Sequence, residues 1–249
     1  QAGRDLTVMV ECDTGAARNG VQSPQAAVAL AQFIDKQQGL HFGGLTPALR
    51  GDEVKPIQLI SPVDGSVYAE RMPLTREAAV AVAARAKAAQ KAWAARPLAE
   101  RIALVKAGVA KLIEKKDVLG DELAWQMGRP TRFGGEFGGV NDRTNYMSEI
   151  AEATLAPHVI EDSEKFRRYL AREALGVVFI VAPWNYPYLT TINTLAPALI
   201  AGNSVILKHA SQTLLVGERL AEAFHAAGIP EDVFQNVVLD HATTEHLIA

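Results

Sequence analysis

One apolar stretch late in the chain constrains the fold more than any other part of the sequence. Residues 177–182 form a continuous run rich in β-branched side chains, which is typical of a strand buried on both faces of a parallel sheet. Pro183 ends this run, and an apolar segment of helical length follows over residues 189–201. After a glycine-asparagine turn, residues 204–208 form a second predicted strand. This order predicts a right-handed βαβ unit of the α/β class.

Polar side chains follow both predicted strands. Trp184 and Asn185 come after the first strand, and Lys208 and Ser211 come at or after the end of the second. Ligands of open α/β sheets bind beyond the carboxyl ends of the strands, so we expect these side chains to line a ligand site. For a lone lysine such as Lys208, a solvated position at a strand end is the alternative.

The same stretch resembles the aldehyde dehydrogenase superfamily. The resemblance is carried by PWNYP after the first strand and by APALIAGNSVILK, which ends at the second. It implies that the Asn185 side-chain amide donates to the oxyanion formed when a cysteine thiolate attacks an aldehyde. It also implies a nicotinamide dinucleotide site, with no metal, and the residues assigned to that site are Ala182, Pro183, Trp184, Lys208 and Ser211.

The resemblance also bears on the choice between NAD and NADP. A glutamate that holds both ribose hydroxyls often stands in the family where this chain has Ser211. A hydroxyl group removes the charge that would repel a 2′-phosphate, and Lys208 would attract one. The sequence therefore permits both cofactors and favours NADP slightly.

The resemblance to aldehyde dehydrogenases extends over about residues 56–249. It includes a hairpin of short strands over residues 59–68, three helices beginning at residues 76, 98 and 117, and an extended charged segment over residues 157–170. In the family this last segment pairs with another subunit, which implies a homo-oligomeric parent enzyme. We predict a doubly wound, Rossmann-like parallel sheet with preceding helices, and we assign residues 57–249 to an incomplete N-terminal, cofactor-binding region.

Residues 1–46 resemble a different family. Strands are predicted over residues 6–10 and 40–45, with a helix beginning at Ser23-Pro24 between them. Together with Arg18 after a DTG sequence, this pattern is similar to the barrel domain of pyridoxal-phosphate enzymes of the alanine racemase and D-threonine aldolase type. The resemblance implies a short βαβ piece of a TIM barrel, and pyridoxal phosphate is expected only if an intact barrel accompanies it.

Composition limits the other classes of function. The hydrophobic share of 49% is ordinary for a globular protein, and the net charge of -3 argues against partners such as nucleic acids or membrane surfaces. No apolar run reaches the roughly 20 residues that a membrane helix needs. The single cysteine, Cys12, fits a reducing, cytoplasmic setting.

The expected activity of the parent family is oxidation of a small-molecule aldehyde to a carboxylic acid, through a thiohemiacetal and hydride transfer to NAD or NADP. Its nucleophilic cysteine, glutamate base and pyrophosphate-binding turn follow the lysine strand, and the sequence to Ala249 contains none of them there. We therefore expect an inactive, weakly binding fragment, joined at residues 47–56 to the barrel piece as a chimera. The alternatives are a catalytically dead dinucleotide-binding or subunit-pairing fragment and a pyridoxal-phosphate aldolase or racemase fragment.

Overall fold

The chain divides into two units between Lys55 and Pro56. The structure, a computed structural model, describes residues 6–12, 23–36, 40–47, 55–133 and 135–248.

The N-terminal unit has the predicted order of strand, helix and strand. Its elements are β1 (Leu6–Cys12), α1 (Pro24–Asp35) and β2 (Leu40–Pro47). The two strands pair in parallel. Ser23 caps the helix, because its hydroxyl oxygen accepts a hydrogen bond of 3.1 Å from the Ala26 N–H. The predicted DTG turn and Arg18 lie outside the described residues, and the origin of this unit in a barrel stays a prediction.

The C-terminal unit contains the predicted hairpin, helices, extended arm and βαβ unit. Its elements in chain order are β3 (Ile57–Ile60), β4 (Val67–Arg71), α2 (Arg76–Ala94), α3 (Leu98–Glu114), α4 (Lys116–Met127), α5 (Phe137–Leu155), β5 (His158–Asp162), β6 (Arg167–Leu170), β7 (Val177–Val181), α6 (Pro187–Ile200), β8 (Ser204–Lys208), α7 (Leu214–Ala226), β9 (Phe234–Val237) and α8 (His241–Ile248). Helix α6 begins two residues before the predicted start, because Pro187 fits the first helical turn.

A three-stranded parallel sheet in the order β7-β8-β9 organises the C-terminal unit. Strands β7 and β8 pair in register, from Val177 opposite Ser204 to Val181 opposite Lys208. The predicted βαβ unit is therefore confirmed, with α6 as its helix. Neighbouring parallel strands also bring the ends of β7 and β8 to one edge of the sheet.

Helices pack on both faces of this sheet. Val205 and Leu207 of β8 belong to the larger apolar core, which contains buried residues of α3, α5, α6 and α7. Ile206, between them, belongs to a smaller core with Val82 and Ala86 of α2. Because successive side chains of a strand point to opposite faces, the two cores cover opposite sides of β8. This arrangement confirms the predicted α/β class.

Side chains from preceding segments hold the carboxyl end of α6. The Trp93 indole N–H donates to the Leu199 carbonyl at 2.9 Å, and the Arg101 Nε donates to the Ile200 carbonyl at 2.9 Å. The final carbonyls of a helix have no partner within the helix. The Arg101 bond satisfies the Ile200 carbonyl, and the Leu199 carbonyl also accepts from the Gly202 N–H of the following turn at 3.0 Å. The turn that follows is also tightly packed: Gly202 has a φ of 91°, and a Cβ at this position would lie 3.2 Å from the Ala94 Cα.

Three glycine-to-alanine variants test this packing. Gly65 has a similar φ of 76°, but a Cβ there would have no atom within 4 Å, and Gly120 lies within α4 with open space around it. Gly65→Ala should lower the free energy of unfolding by about 1 kcal/mol through backbone strain, and Gly120→Ala should raise it by about 0.5–1 kcal/mol. Gly202→Ala should lower the free energy of unfolding more than Gly65→Ala does, because the close contact with Ala94 adds to the backbone strain.

Urea unfolding followed by tryptophan fluorescence measures these differences, since Trp93, Trp125 and Trp184 all lie in the C-terminal unit. Equal losses for Gly202→Ala and Gly65→Ala would contradict the close contact with α2.

Candidate active site

The ends of β7 and β8 meet at the carboxyl edge of the sheet. Val181, the last residue of β7, pairs with Lys208, the last residue of β8. The next residue, Ala182, donates its N–H to the Lys208 carbonyl at 3.0 Å. The loop that carries Asn185 thus starts beside the strand end that carries Lys208.

The predicted site residues have different environments at this edge. Ala182 is buried, whereas Pro183 and the two loop residues that follow it are exposed, with Trp184 at 54% exposure. Lys208 is half-buried, and Ser211 is exposed at the start of a short 3-10 helix. The loop residues and Lys208 flank the same strand ends, which is the placement that a shared ligand would need. Their roles in binding and catalysis stay predictions.

Lys208 is a charged group in a partly desolvated position. Burial lowers the pKa of its ammonium group. The ammonium group has no hydrogen bond or ion pair with a described residue. A partly buried cation without a counter-ion is stabilised by an anionic ligand, because burial weakens the competition from water.

His209 is the residue at this edge whose importance the sequence does not indicate. His209 lies in the loop that follows β8, yet its side chain is only 3% exposed. The Ala210 N–H donates to His209 Nδ1 at 3.0 Å, so Nε2 carries the proton of the neutral ring. Nε2 lies 3.4 Å from Thr191 Oγ1 of α6. A neutral histidine therefore connects the end of β8 to α6.

The burial of His209 also affects its protonation. Burial lowers its pKa to about 4, and the nearby Lys208 charge acts in the same direction. The ring therefore stays neutral across the physiological range. Neither its burial nor its lowered pKa requires His209 to take part in chemistry. His209 contributes to the site by fixing the position of the end of β8.

The loop that carries Asn185 has an unusual backbone conformation. Tyr186 has a φ of 48°, and it is the non-glycine residue with positive φ in the described part of the chain. Its carbonyl accepts bonds of 2.8 Å from both the N–H and the hydroxyl of Thr190. The carbonyl thus starts the hydrogen bonding of α6, while the side chain of Asn185 remains exposed one residue earlier.

A match to a family profile shows to which protein family the chain is related. The profile of the Aldehyde dehydrogenase family matches residues 49–249, which is most of the chain. The chain belongs to the aldehyde dehydrogenase family. The match includes both strand ends and the loop between Ala182 and Pro187.

Curated relatives are similar over most of the chain. A succinate-semialdehyde dehydrogenase [NADP(+)] of Deinococcus radiodurans is 30% identical over 206 residues, covering 82% of this chain and 43% of the relative. A 3-sulfolactaldehyde dehydrogenase of Pseudomonas putida is 32% identical over 212 residues, covering 85% of this chain and 40% of the relative. The chain thus spans less than half of the length of these aldehyde dehydrogenases.

Solved structures of the family share the fold of most of this chain. The NADP-dependent glyceraldehyde-3-phosphate dehydrogenase of Bacillus halodurans, complexed with NADP, has a TM-score of 0.72 at 30% identity, over 78% of this chain and 42% of that one. A NAD-dependent benzaldehyde dehydrogenase of Corynebacterium glutamicum also has a TM-score of 0.72, at 28% identity, over 80% of this chain and 44% of that one. Both cofactors are therefore represented among the structural neighbours of this aldehyde dehydrogenase family member.

The structure and the comparisons give little support to other classes of function. The pyridoxal-phosphate alternative is not supported by these comparisons and depends on residues 1–46 alone. Within the described ranges, no helix combines the length and apolar character needed to cross a membrane. The same residues contain no group of three or more histidine, cysteine, aspartate or glutamate side chains placed to hold a metal ion.

The buried neutral histidine of this aldehyde dehydrogenase family member predicts a pH dependence of stability. The unfolded chain binds a proton at His209 near the ordinary pKa of 6.5, while the folded chain does so only near 4. The contribution of the neutral ring to the free energy of unfolding is therefore fully present above pH 6.5. As the pH falls towards 4, the free energy of unfolding decreases by about 3 kcal/mol at most. We expect His209→Asn, which keeps an acceptor for the Ala210 N–H, to reduce this loss.

Urea unfolding at several pH values between 4 and 7.5 measures the effect, with His246→Asn, a change at an exposed histidine, as the control. The control should leave the pH dependence unchanged. Parallel curves for His209→Asn and the unaltered chain would contradict the assignment of a depressed histidine pKa.

Proposed function

We propose that this chain supplies the oxyanion donor and part of the dinucleotide site for oxidation of an aldehyde to a carboxylic acid. The observation that carries the proposal is the half-buried Lys208 ammonium beside the loop of Asn185, at the carboxyl edge of a parallel sheet. This ammonium group has no partner among the residues that the structure describes. The family membership of residues 49–249 supports the same reaction class. The substrate would be a small-molecule aldehyde, in the cytoplasm.

Asn185 would act on the aldehyde oxygen. Its carboxamide is neutral and exposed, so it can be aimed at the oxygen before negative charge develops there. A nicotinamide ring, when bound, accepts a hydride from the substrate carbon. The residues of this chain would orient the two reactants: Asn185 at the carbonyl, and Trp184, Ala182 and Pro183 along the dinucleotide.

NADP is the cofactor that the local charges favour. Lys208 would attract a 2′-phosphate, and Ser211 adds no carboxylate to repel it. The name of the succinate-semialdehyde dehydrogenase relative includes NADP(+), which is consistent with this choice. Because NAD-dependent structural neighbours also exist, the preference depends on these two side chains rather than on the fold.

The surface of the β5–β6 hairpin favours a second role in subunit pairing. Four of its apolar side chains are 45–62% exposed, namely Val159, Ile160, Tyr169 and Leu170. An exposed apolar hairpin is a common feature of interfaces between subunits. A homo-oligomer is consistent with this surface and would not exclude the dinucleotide role.

A titration of NADP and NAD into the purified chain tests the cofactor preference. We expect NADP to bind more tightly than NAD, since only NADP carries a 2′-phosphate that the Lys208 ammonium group can attract. Lys208→Met should weaken NADP binding by about tenfold and NAD binding less, because the lost contact is a charge-assisted bond to the phosphate. Ser211→Glu should shift the preference towards NAD through charge repulsion.

Isothermal titration calorimetry at fixed ionic strength measures each affinity, and Lys91→Met, a change at an exposed lysine of α2, is the matched control. Equal affinities for the two dinucleotides, or equal effects of Lys208→Met and Lys91→Met, would overturn the proposed preference.

A further inference from the structure

The amino end of α6 is capped by a residue that lies far away in the sequence. Oε2 of Glu136 accepts a hydrogen bond of 2.8 Å from the Leu189 N–H, and the Tyr188 N–H also interacts with this carboxylate. Tyr186, at the N-cap position, makes no side-chain cap of its own. The Glu136 carboxylate therefore satisfies N–H groups that the first turn of a helix leaves unpaired, and its charge suits the positive end of the helix.

Arg129 joins this cap to the loop. Its Nη1 donates to Oε1 of Glu136 at 3.0 Å, and the guanidinium carbon lies 4.8 Å from the centre of the Tyr186 ring. One arginine thus contacts both the capping carboxylate and the residue that follows Asn185. The Glu136 side chain is 1% exposed and that of Arg129 is 21% exposed, so water screens the pair weakly.

The backbone at Tyr186 requires such support. A φ of 48° is costly for a residue with a side chain, by about 1–2 kcal/mol. Strained residues of this kind persist only where neighbouring groups determine their conformation. Two contacts hold the Tyr186 backbone in this conformation: the Arg129 guanidinium lies over the Tyr186 ring, and Glu136 caps the helical turn that follows.

Close packing fixes the position of the capping residue itself. A Cβ at Gly135 would clash with the Phe137 ring, and the Phe137 ring centre lies 5.1 Å from that of Tyr188 in α6. A Cβ at Gly139 would lie 3.2 Å from Leu189 Cδ1. The starts of α5 and α6 therefore contact each other closely, which leaves the Glu136 carboxylate little freedom to move.

We propose that Arg129 and Glu136 are positioning residues that hold the loop of Trp184, Asn185 and Tyr186 in the conformation from which Asn185 meets its substrate. The pair, here called the Arg129–Glu136 brace, touches neither substrate nor cofactor in this role. It acts through the first turn of α6 and the Tyr186 ring. The functional meaning of the brace depends on the proposed oxyanion role of Asn185, whereas its structural effect can be measured without any ligand.

Local amide exchange and fluorine NMR test the brace in the full chain. Glu136→Gln leaves one acceptor oxygen for both Arg129 and the Leu189 N–H, and Arg129→Met removes the group that holds the carboxylate in place. We expect each variant to accelerate exchange of the Leu189 amide, by up to about tenfold, the size of a lost helix cap. With 5-fluorotryptophan in place of tryptophan, the Trp184 resonance should shift or broaden in both variants. Arg129→Lys keeps the charge but loses the planar stack, so it should restore Leu189 protection in part.

Arg96→Met is the matched control. Arg96 also pairs with a glutamate, Glu100, at 2.7 Å, and its guanidinium carbon lies 5.5 Å from the centre of the Trp93 ring. Neither partner belongs to the Asn185 loop, so this variant should change the Trp93 resonance and leave both Trp184 and the Leu189 amide unchanged. If Glu136→Gln does not fold, the Arg129 variants are used for the test, since the Arg129 side chain is less buried than that of Glu136.

Two results would overturn the brace. One is that the exchange rate of the Leu189 amide and the fluorine resonance of Trp184 are unchanged in the folded variants. The other is equal acceleration of exchange at Leu207 of β8, which would reduce the pair to a general stabiliser of the fold. Both results are obtained without dinucleotide, so they are independent of whether NADP binds as proposed.

Discussion

Helix α6 is held at both ends, and the geometry of the candidate site depends on this constraint. At its carboxyl end, Trp93 and Arg101 donate to the last carbonyls, and at its amino end Glu136 accepts from the first N–H groups. A helix fixed in this way cannot slide along its axis without leaving buried polar groups unpaired. Because α6 connects β7 to β8, the same constraint fixes the loop of Asn185 relative to Lys208.

Burial gives the polar groups at this edge distinct electrostatic roles. His209 is neutral and hydrogen-bonded, so it can lie between β8 and α6 without an unpaired charge. Lys208, one residue earlier, retains a charge that no described residue neutralises. Asn185 is exposed and uncharged. The edge therefore combines a cation for a phosphate with a neutral donor for a carbonyl oxygen, which are the two features that the proposed reaction requires.

The sequence predicts the elements of the fold better than the contacts that position the site. The β-branched run before Pro183 and the length of the following apolar segment suffice to predict β7 and α6, because both signals are local. The contact between Glu136 and Leu189 joins residues 53 apart, and no periodicity indicates it. The close contact between Gly135 and the Phe137 ring also has no signal in the sequence. Likewise, a histidine after a strand gives no sign in the sequence of its burial.

The central claim is that the ends of β7 and β8 form one side of a nicotinamide dinucleotide site. Chemical-shift mapping of the ¹⁵N-labelled chain during addition of NADP tests it most directly, because each backbone amide reports separately. The account predicts that the amides of Trp184 and Asn185 shift together with those of Lys208 and Ser211, while the β5–β6 hairpin remains unchanged. Shifts confined to that hairpin or to the N-terminal unit, with none at the two strand ends, would contradict it.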